Sequence, residues 1–151
     1  TREPYLPGTP TDPAQIAKRI TAFHRNATSL PPRPDCAGAL DLITADVGGD
    51  VDLAVMPPDL VAALRTAWGN LPDAQTTVHG DLNPANILTR PDGRIILIDW
   101  DEARRDSPAF DRATWDKSDA TANRAALAWE IACCWHIEPD RARALAHQFS
   151  N

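Results

Sequence analysis

Lysine is nearly missing from this chain: Lys18 and Lys117 are the only two among 15 basic residues. No G-x-x-x-x-G-K-[ST] string surrounds either of them, and no G-x-G-x-x-G occurs anywhere, so neither common glycine-built phosphate cradle is encoded here. The Gly48-Gly49 pair is therefore read as a break in the chain and not as a phosphate loop. Cysteine is scarce and odd in number. Cys36 stands alone, and Cys133 and Cys134 are neighbours that cannot easily bridge each other, which excludes a disulfide framework and suits reduced thiols packed on a helix. No zinc spacing is present. No apolar run approaches the roughly 20 residues of a membrane span, and no charged-then-apolar leader opens the sequence. A soluble, cytoplasmic protein without a membrane partner is expected. Positive charge is also in deficit: the formal net charge of −6 argues against nucleic-acid phosphate as a partner. The same excess of acid suits a cationic small molecule.

What is present is one core's worth of apolar sequence, 43% of 151 residues, which fits a single domain. Its most informative stretch is VHGDLNPANIL, Val78 to Leu88, followed after a short turn by IILIDWDEA, Ile95 to Ala103. Ile87 and Leu88 are apolar, Arg90-Pro91-Asp92-Gly93 is turn chemistry, and Arg94 to Ile98 is rich in β-branched residues. A β-hairpin is predicted, with Asn86 at the start of its first strand and Asp99 at the end of its second. Antiparallel pairing would bring both side chains to one end, within reach of one cation. A hard cation such as Mg²⁺ takes oxygen ligands and needs only one or two from protein when substrate phosphates supply others. Asp81, on the loop before Asn86, is placed to accept the proton of an attacking hydroxyl.

The run His79-Gly80-Asp81-Leu82 with Asn86 resembles the H-R-D-L-x-x-x-N catalytic loop of protein kinases, and Ile98-Asp99-Trp100 resembles their D-F-G segment. Gly80 in place of Arg, within HGDLNPANIL, is closer to the aminoglycoside phosphotransferase and choline kinase branch of that fold. The resemblance implies Asp81 as catalytic base, Asn86 and Asp99 as Mg²⁺ and ATP-phosphate ligands, and His79 as a buttress of the loop. Ser107-Pro108-Ala109-Phe110-Asp111 is similar to the family's D-P-A-x-D run, where Asp111 would tie a helix start to the catalytic loop. Two positions depart from the protein-kinase pattern. Trp100 replaces Phe, and Asp101 replaces Gly, which lowers the expectation of positive φ there; Asp101 is read either as a further acid of the metal shell or as a solvated one.

In chain order, Thr1 to Thr11 reads as an extended lead-in. Asp12, Pro13 and Gln15 carry cap and first-turn signals for a helix running to about Ala27, with Ile16, Ile20, Phe23 and Ala27 on one face and His24 packing or hydrogen bonding beside them. Between Ser29 and Pro58 the signals weaken. A short helix is predicted within Cys36 to Val47, and the acids Asp35, Asp41, Asp46, Asp50 and Asp52 belong to a solvated loop or to the grip on a cationic acceptor. A second helix covers Pro58 to Trp68. After the hairpin, Glu102 to Asp106 reads as a charged loop. Helices then follow from Pro108 to Trp115, from about Ser118 to Trp135 with Leu127, Ile131 and Cys134 inward, and from Pro139 to about Gln148. Trp115, Trp129 and Trp135 are read as core aromatics.

The expected fold is mainly α with a small β-hairpin, like the C-terminal lobe of a protein-kinase-like α+β fold. Residues 1–11 would lead from a hinge, and 12–151 would form one lobe with the catalytic hairpin at about 78–101. Such kinases also use an N-terminal lobe whose Gly-rich loop and Lys hold the phosphates; neither is encoded here, so the chain is expected to be a fragment of a longer kinase or a one-lobe relative, the former preferred. The function expected is transfer of the ATP γ-phosphate to a hydroxyl of a small molecule, incomplete in this chain alone. The alternative is an inactive one-lobe pseudokinase serving as an interaction module. Either a supplied N-terminal lobe or a homodimer would cover apolar surface near Tyr5 and Leu6. Metal-dependent hydrolysis with the same acids is disfavoured, because no His pair is spaced to hold a transition metal.

Overall fold

The computed structural model describes residues 13–28, 30, 31, 36–90 and 92–150. The lead-in, the Asp12 cap, the Tyr5 and Leu6 patch, Asp35 and turn residue Pro91 lie outside them. Helix α1 spans Pro13–Ala27, and its Ile16, Ile20, His24 and Ala27 are all buried, one stripe at helical spacing. Helix α2 spans Pro58–Gly69 and buries Val61, Leu64, Ala67 and Trp68. Pro58 opens it, where a missing N–H costs nothing.

The segment predicted to hold a short helix within Cys36–Val47 does not do so. It makes one 3₁₀ turn, Asp41–Ile43, and then a two-stranded ribbon of β1, Val47–Gly48, and β2, Val51–Asp52. The cause is competition for backbone carbonyls. The Arg65 guanidinium on α2 donates to Leu42 O at 3.0 Å and Ala45 O at 2.8 Å, acceptors that a continuing helix would have used.

Strand β3, Thr76–Val78, leads into the HGDL loop. Strands β4, Ile87–Thr89, and β5, Ile95–Leu97, form the expected hairpin with Ile87 opposite Leu97 and Thr89 opposite Ile95. The stretch expected as a charged loop is largely strand β6, Arg104–Asp106, antiparallel to β3 with Val78 opposite Arg104. Arg104 and Asp106 share one face of β6 and are buried together, each compensating the other's charge.

Helices α3, Ala109–Ala113, α4, Ala120–Ile137, and α5, Pro139–Ser150, complete the chain. The side chain of Asp119 caps α4 by accepting from Ala122 N at 2.9 Å. Of the expected inner residues of α4, Ile131 is fully buried and Leu127 packs against the core half-buried, while Cys134 is half-buried outside that cluster. The rest of the face is an alanine stripe, Ala122, Ala125, Ala128 and Ala132. Small side chains bring α4 close to α2, α3 and α5, which pack around it.

Two hydrophobic clusters result. The larger joins Leu42, Leu53, Leu64, Trp68, Phe110, Ile131 and Phe149. The smaller joins Ile16 and Ile20 of α1 to Leu82 and Ile87, with Ile95 and Leu97 of the hairpin packed on it. The HGDL loop bridges the two, so its position depends on both. Among the described residues no helix is long and apolar enough to cross a membrane.

Leu64 is fully buried on the face where α2 meets α4. Leu64→Ala should destabilise the protein by about 2–5 kcal/mol through lost burial and the cavity left behind. Urea unfolding measures it, and a loss under about 1 kcal/mol would show that this face is not core.

Candidate active site

The loop after β3 begins at a position with no room for a side chain. Gly80 has φ +89°, and a Cβ there would lie 2.3 Å from Glu102 O and 2.7 Å from Arg104 Nη1. Glycine is therefore required on two counts, backbone conformation and close approach of β6. This gives a physical reason for Gly where protein kinases carry Arg.

Asp111, on α3 and 1% exposed, holds the loop from beneath. Its Oδ2 accepts from His79 N at 2.9 Å and from His24 Nε2 at 2.8 Å, and its Oδ1 accepts from Gly80 N at 3.0 Å. One carboxylate thus joins α1, α3 and the HGDL loop. His79 itself is fully buried and donates Nε2–H to Ile98 O at 2.8 Å. A carbonyl can only accept, so Nε2 carries the proton of that bond, and Nδ1 is buried without a hydrogen-bond partner among the described residues. Trp100 packs on His79 with ring centroids 4.5 Å apart and donates its indole N–H to Leu97 O at 2.9 Å. The larger ring in place of Phe thereby finds both a stacking partner and an acceptor.

Asp81 is exposed at the tip of the loop. Asn83 Nδ2 lies 3.0 Å from both of its carboxylate oxygens, and Asn86 Nδ2 donates to Asp81 O at 2.8 Å and to its Oδ2 at 3.1 Å. Asn83 Oδ1 in turn accepts from Ala85 N at 2.8 Å, which winds the 3₁₀ turn Pro84–Asn86. Ile98 N donates to Asn86 O at 3.0 Å, extending the hairpin register one step beyond Ile87 and Leu97. Asp99 follows directly, exposed, with φ +62°. Asp is one of the few side chains that tolerate this region, and at an otherwise regular hairpin the conformation marks a constrained position. Positive φ therefore falls at Asp99 and not at Asp101.

Asp81 and Asn86 are in direct contact, and Asp99 adjoins the residue paired with Asn86. Asp101 is placed elsewhere, on a recess of about 130 Å³ with Cys36, Gly49, Asp50 and Cys133. Asp81 faces a separate cleft of about 450 Å³ lined by Leu82, Glu102, Phe110, Trp129, Glu130 and Arg141. Among the described residues no three His, Cys, Asp or Glu side chains gather as a metal cluster. The donor set fits a hard cation all the same. Asn86 spends only its amide N–H on Asp81, leaving Oδ1, and the Asp99 carboxylate is exposed; one acid and one amide match a cation that takes its other ligands from phosphate and water.

Sequence reasoning missed Arg104, Asp106, Glu102 and the cleft role of Trp129. The available signal was the alternation Arg104, Arg105, Asp106, which puts opposite charges on one face of a strand but looks like a solvated loop by composition. Asp106 is fully buried and accepts from Ala39 N, Ser107 N and Arg104 Nε at 2.8, 2.8 and 3.0 Å. Burial pushes its carboxyl up, and the Arg104 guanidinium pulls it back. Burial pushes the Cys133 thiol up to about 12, which favours the protonated thiol at neutral pH.

Residues 5–146 match the phosphotransferase enzyme family, and the chain belongs to it. Among solved structures, a choline/ethanolamine kinase family protein from Mesorhizobium loti is 16% identical, with a TM-score of 0.49 over 97% of this chain and 67% of its own. The choline kinase LicA from Streptococcus pneumoniae is 16% identical, with a TM-score of 0.46 over 92% of this chain and 46% of its own. LicA in complex with AMP gives 16% and 0.45 over 91% and 56%. The chain thus spans about half to two thirds of the length of these structures. No curated protein matches it.

Gly80→Ala should place a methyl group against the Glu102 carbonyl and force an unfavourable φ. A loss of roughly 2 kcal/mol or more is expected in chemical unfolding. A variant as stable as the parent would mean that β6 does not press on the loop.

Proposed function

We propose that this member of the phosphotransferase enzyme family forms the acceptor and metal side of a site that transfers the γ-phosphate of ATP to a hydroxyl of a small molecule. The observation that carries the reading is the double attachment of Asn86. Its amide grips Asp81 at 2.8 and 3.1 Å, while its carbonyl pairs with Ile98, next to Asp99. Proton acceptor and metal ligands are then fixed to one rigid hairpin end, which is what phosphoryl transfer asks of a protein.

In this reading the acceptor hydroxyl lies in the cleft of about 450 Å³ and hydrogen-bonds to Asp81. The N–H groups of Asn83 and Asn86 hold the Asp81 carboxylate in one orientation, so that it takes the hydroxyl proton as the oxygen attacks. Asn86 Oδ1 and Asp99 would hold Mg²⁺, which when bound neutralises charge on the β- and γ-phosphate oxygens. The outer hairpin face supports a seat for the nucleotide base. Leu88 lies opposite Ile96, and Ile98 is two residues on, so the three share one face, with Ile96 and Ile98 exposed beside Asp99. Acids in the cleft favour a cationic acceptor. The elements that cover the phosphates would come from a further lobe, and phosphate transfer by residues 1–151 on their own is expected to be negligible.

In protein supplied with its phosphate-covering lobe, Asp81→Asn should lower kcat roughly 10²-fold or more with ATP affinity nearly unchanged. Steady-state kinetics decide, and wild-type turnover would remove Asp81 from the mechanism. Asp99→Ala should weaken Mg²⁺-dependent nucleotide binding more than Asn86→Ala, since it removes a charge as well as a ligand. Calorimetric titration with and without Mg²⁺ gives the order; normal Mg²⁺-nucleotide binding by Asp99→Ala would reject the metal assignment.

A further inference from the structure

We propose that Arg104 determines specificity. Its guanidinium lines the smaller recess and backs the Trp129 and Phe110 rings that border the cleft beside Asp81, so the cationic group of the acceptor is read through the N–H donors of a primary ammonium and a quaternary ammonium is refused. The inference rests on the reading of that cleft as the acceptor's.

A cleft of this composition has two ways to hold a cation: the faces of aromatic rings, or carboxylates that accept hydrogen bonds. The rings are Phe110 and Trp129. Arg104 Cζ lies 3.9 Å from the Trp129 centroid and 4.9 Å from the Phe110 centroid. Trp68 and Phe110 meet Trp129 in T-shaped contacts at 6.3 and 6.2 Å, so much of the ring is already engaged.

This internal cation is not readily displaced. Arg104 is 3% exposed, and its Nε donates to Asp106 while its Nη1 donates to Glu102 O at 3.3 Å. Its Nη2 is buried with no partner, so ring faces supply part of the compensation for its lost hydration. Moving the guanidinium away would strand the fully buried Asp106 carboxylate. A quaternary cation entering the cleft meets rings that already hold one cation, a like charge close behind Trp129.

The carboxylates are placed differently. Glu130 pairs with Arg141, which also reaches Glu138. Asp81 is held by Asn83 and Asn86. The Glu102 carboxylate has no hydrogen bond or ion pair to a side chain among the described residues, and this exposed residue borders both the cleft and the smaller recess. A protonated primary amine can direct N–H bonds at Glu102; a quaternary ammonium has none to give.

The test reads binding alone, by following the assigned indole N–H signal of Trp129 in ¹⁵N-labelled protein. Protonated 2-aminoethanol should shift it saturably, and Glu102→Gln should weaken that binding about tenfold, the scale of one charge-assisted hydrogen bond. Tetramethylammonium chloride should give no saturable shift with the wild-type protein. The paired variant Arg104→Leu with Asp106→Asn, which frees the rings without leaving a buried charge alone, should gain tetramethylammonium binding. Saturable tetramethylammonium binding by wild type overturns the proposal, and so does 2-aminoethanol binding that is absent or indifferent to Glu102→Gln. The wild-type comparison and Glu102→Gln decide even if the paired variant fails to fold. Because no phosphate transfer is read, a failed discrimination leaves the Asp81 assignment standing, and undiminished turnover by Asp81→Asn would remove Asp81 from the mechanism without touching the discrimination.

Discussion

The buried carboxylate of Asp111 is the contact on which the site depends. It draws three N–H groups, from His24, His79 and Gly80, onto one side chain that is 1% exposed. A buried carboxylate without donors would cost several kcal/mol, and each charge-assisted hydrogen bond restores on the order of 1.5–3. The protein therefore folds so that these donors converge, and convergence fixes where the HGDL loop leaves β3. The rest follows in sequence. Gly80 turns against β6, His79 reaches across to the Ile98 carbonyl, and that bond sets the end of β5 against Asn86.

A second buried pair sets the other wall. Arg104 and Asp106 stand on β6, which pairs with β3, so the sheet that delivers the loop also delivers the guanidinium behind the Trp129 ring. Asp106 reaches beyond the sheet to Ala39 N and ties in the irregular segment before α2. A Cβ at Gly38 would lie 2.3 Å from Arg105 O, so that approach too is set by the absence of a side chain. Polar groups thus organise the seam between the two hydrophobic clusters, where apolar packing alone would leave the loop unspecified. The proposed site lies along this seam, with helices α2 to α5 as its support.

What the sequence made legible divides along the same line. The helices were readable because a proline at the first turn opens each of Pro13–Ala27, Pro58–Gly69 and Pro139–Ser150, and apolar spacing agrees with it over the first two. The hairpin was readable because its turn and β-branched strands are local signals. Strands β3 and β6 were not, because each has three residues and the second is Arg-Arg-Asp, whose burial makes sense only once Arg104 has found Asp106 and Trp129. The segment from Cys36 to Val47 misled because its helical spacing through Leu40, Ile43 and Val47 is real, but Arg65, some twenty residues later, takes the carbonyls. Asp81, Asn86 and Asp99 stood out by motif. The cleft beside Asp81 did not, since Glu102, Phe110, Trp129 and Glu130 come from separate elements and no local pattern links them.

The claim that Asp111 builds the catalytic loop is tested most directly by amide hydrogen exchange in the intact chain. If the two backbone bonds to its carboxylate hold the loop, the His79 and Gly80 amides should exchange as slowly as those of β3 and the core of α4, through large-scale unfolding only. If those two amides exchange as fast as exposed loop amides such as Asp92 and Gly93, the tether is not present in solution and the account fails.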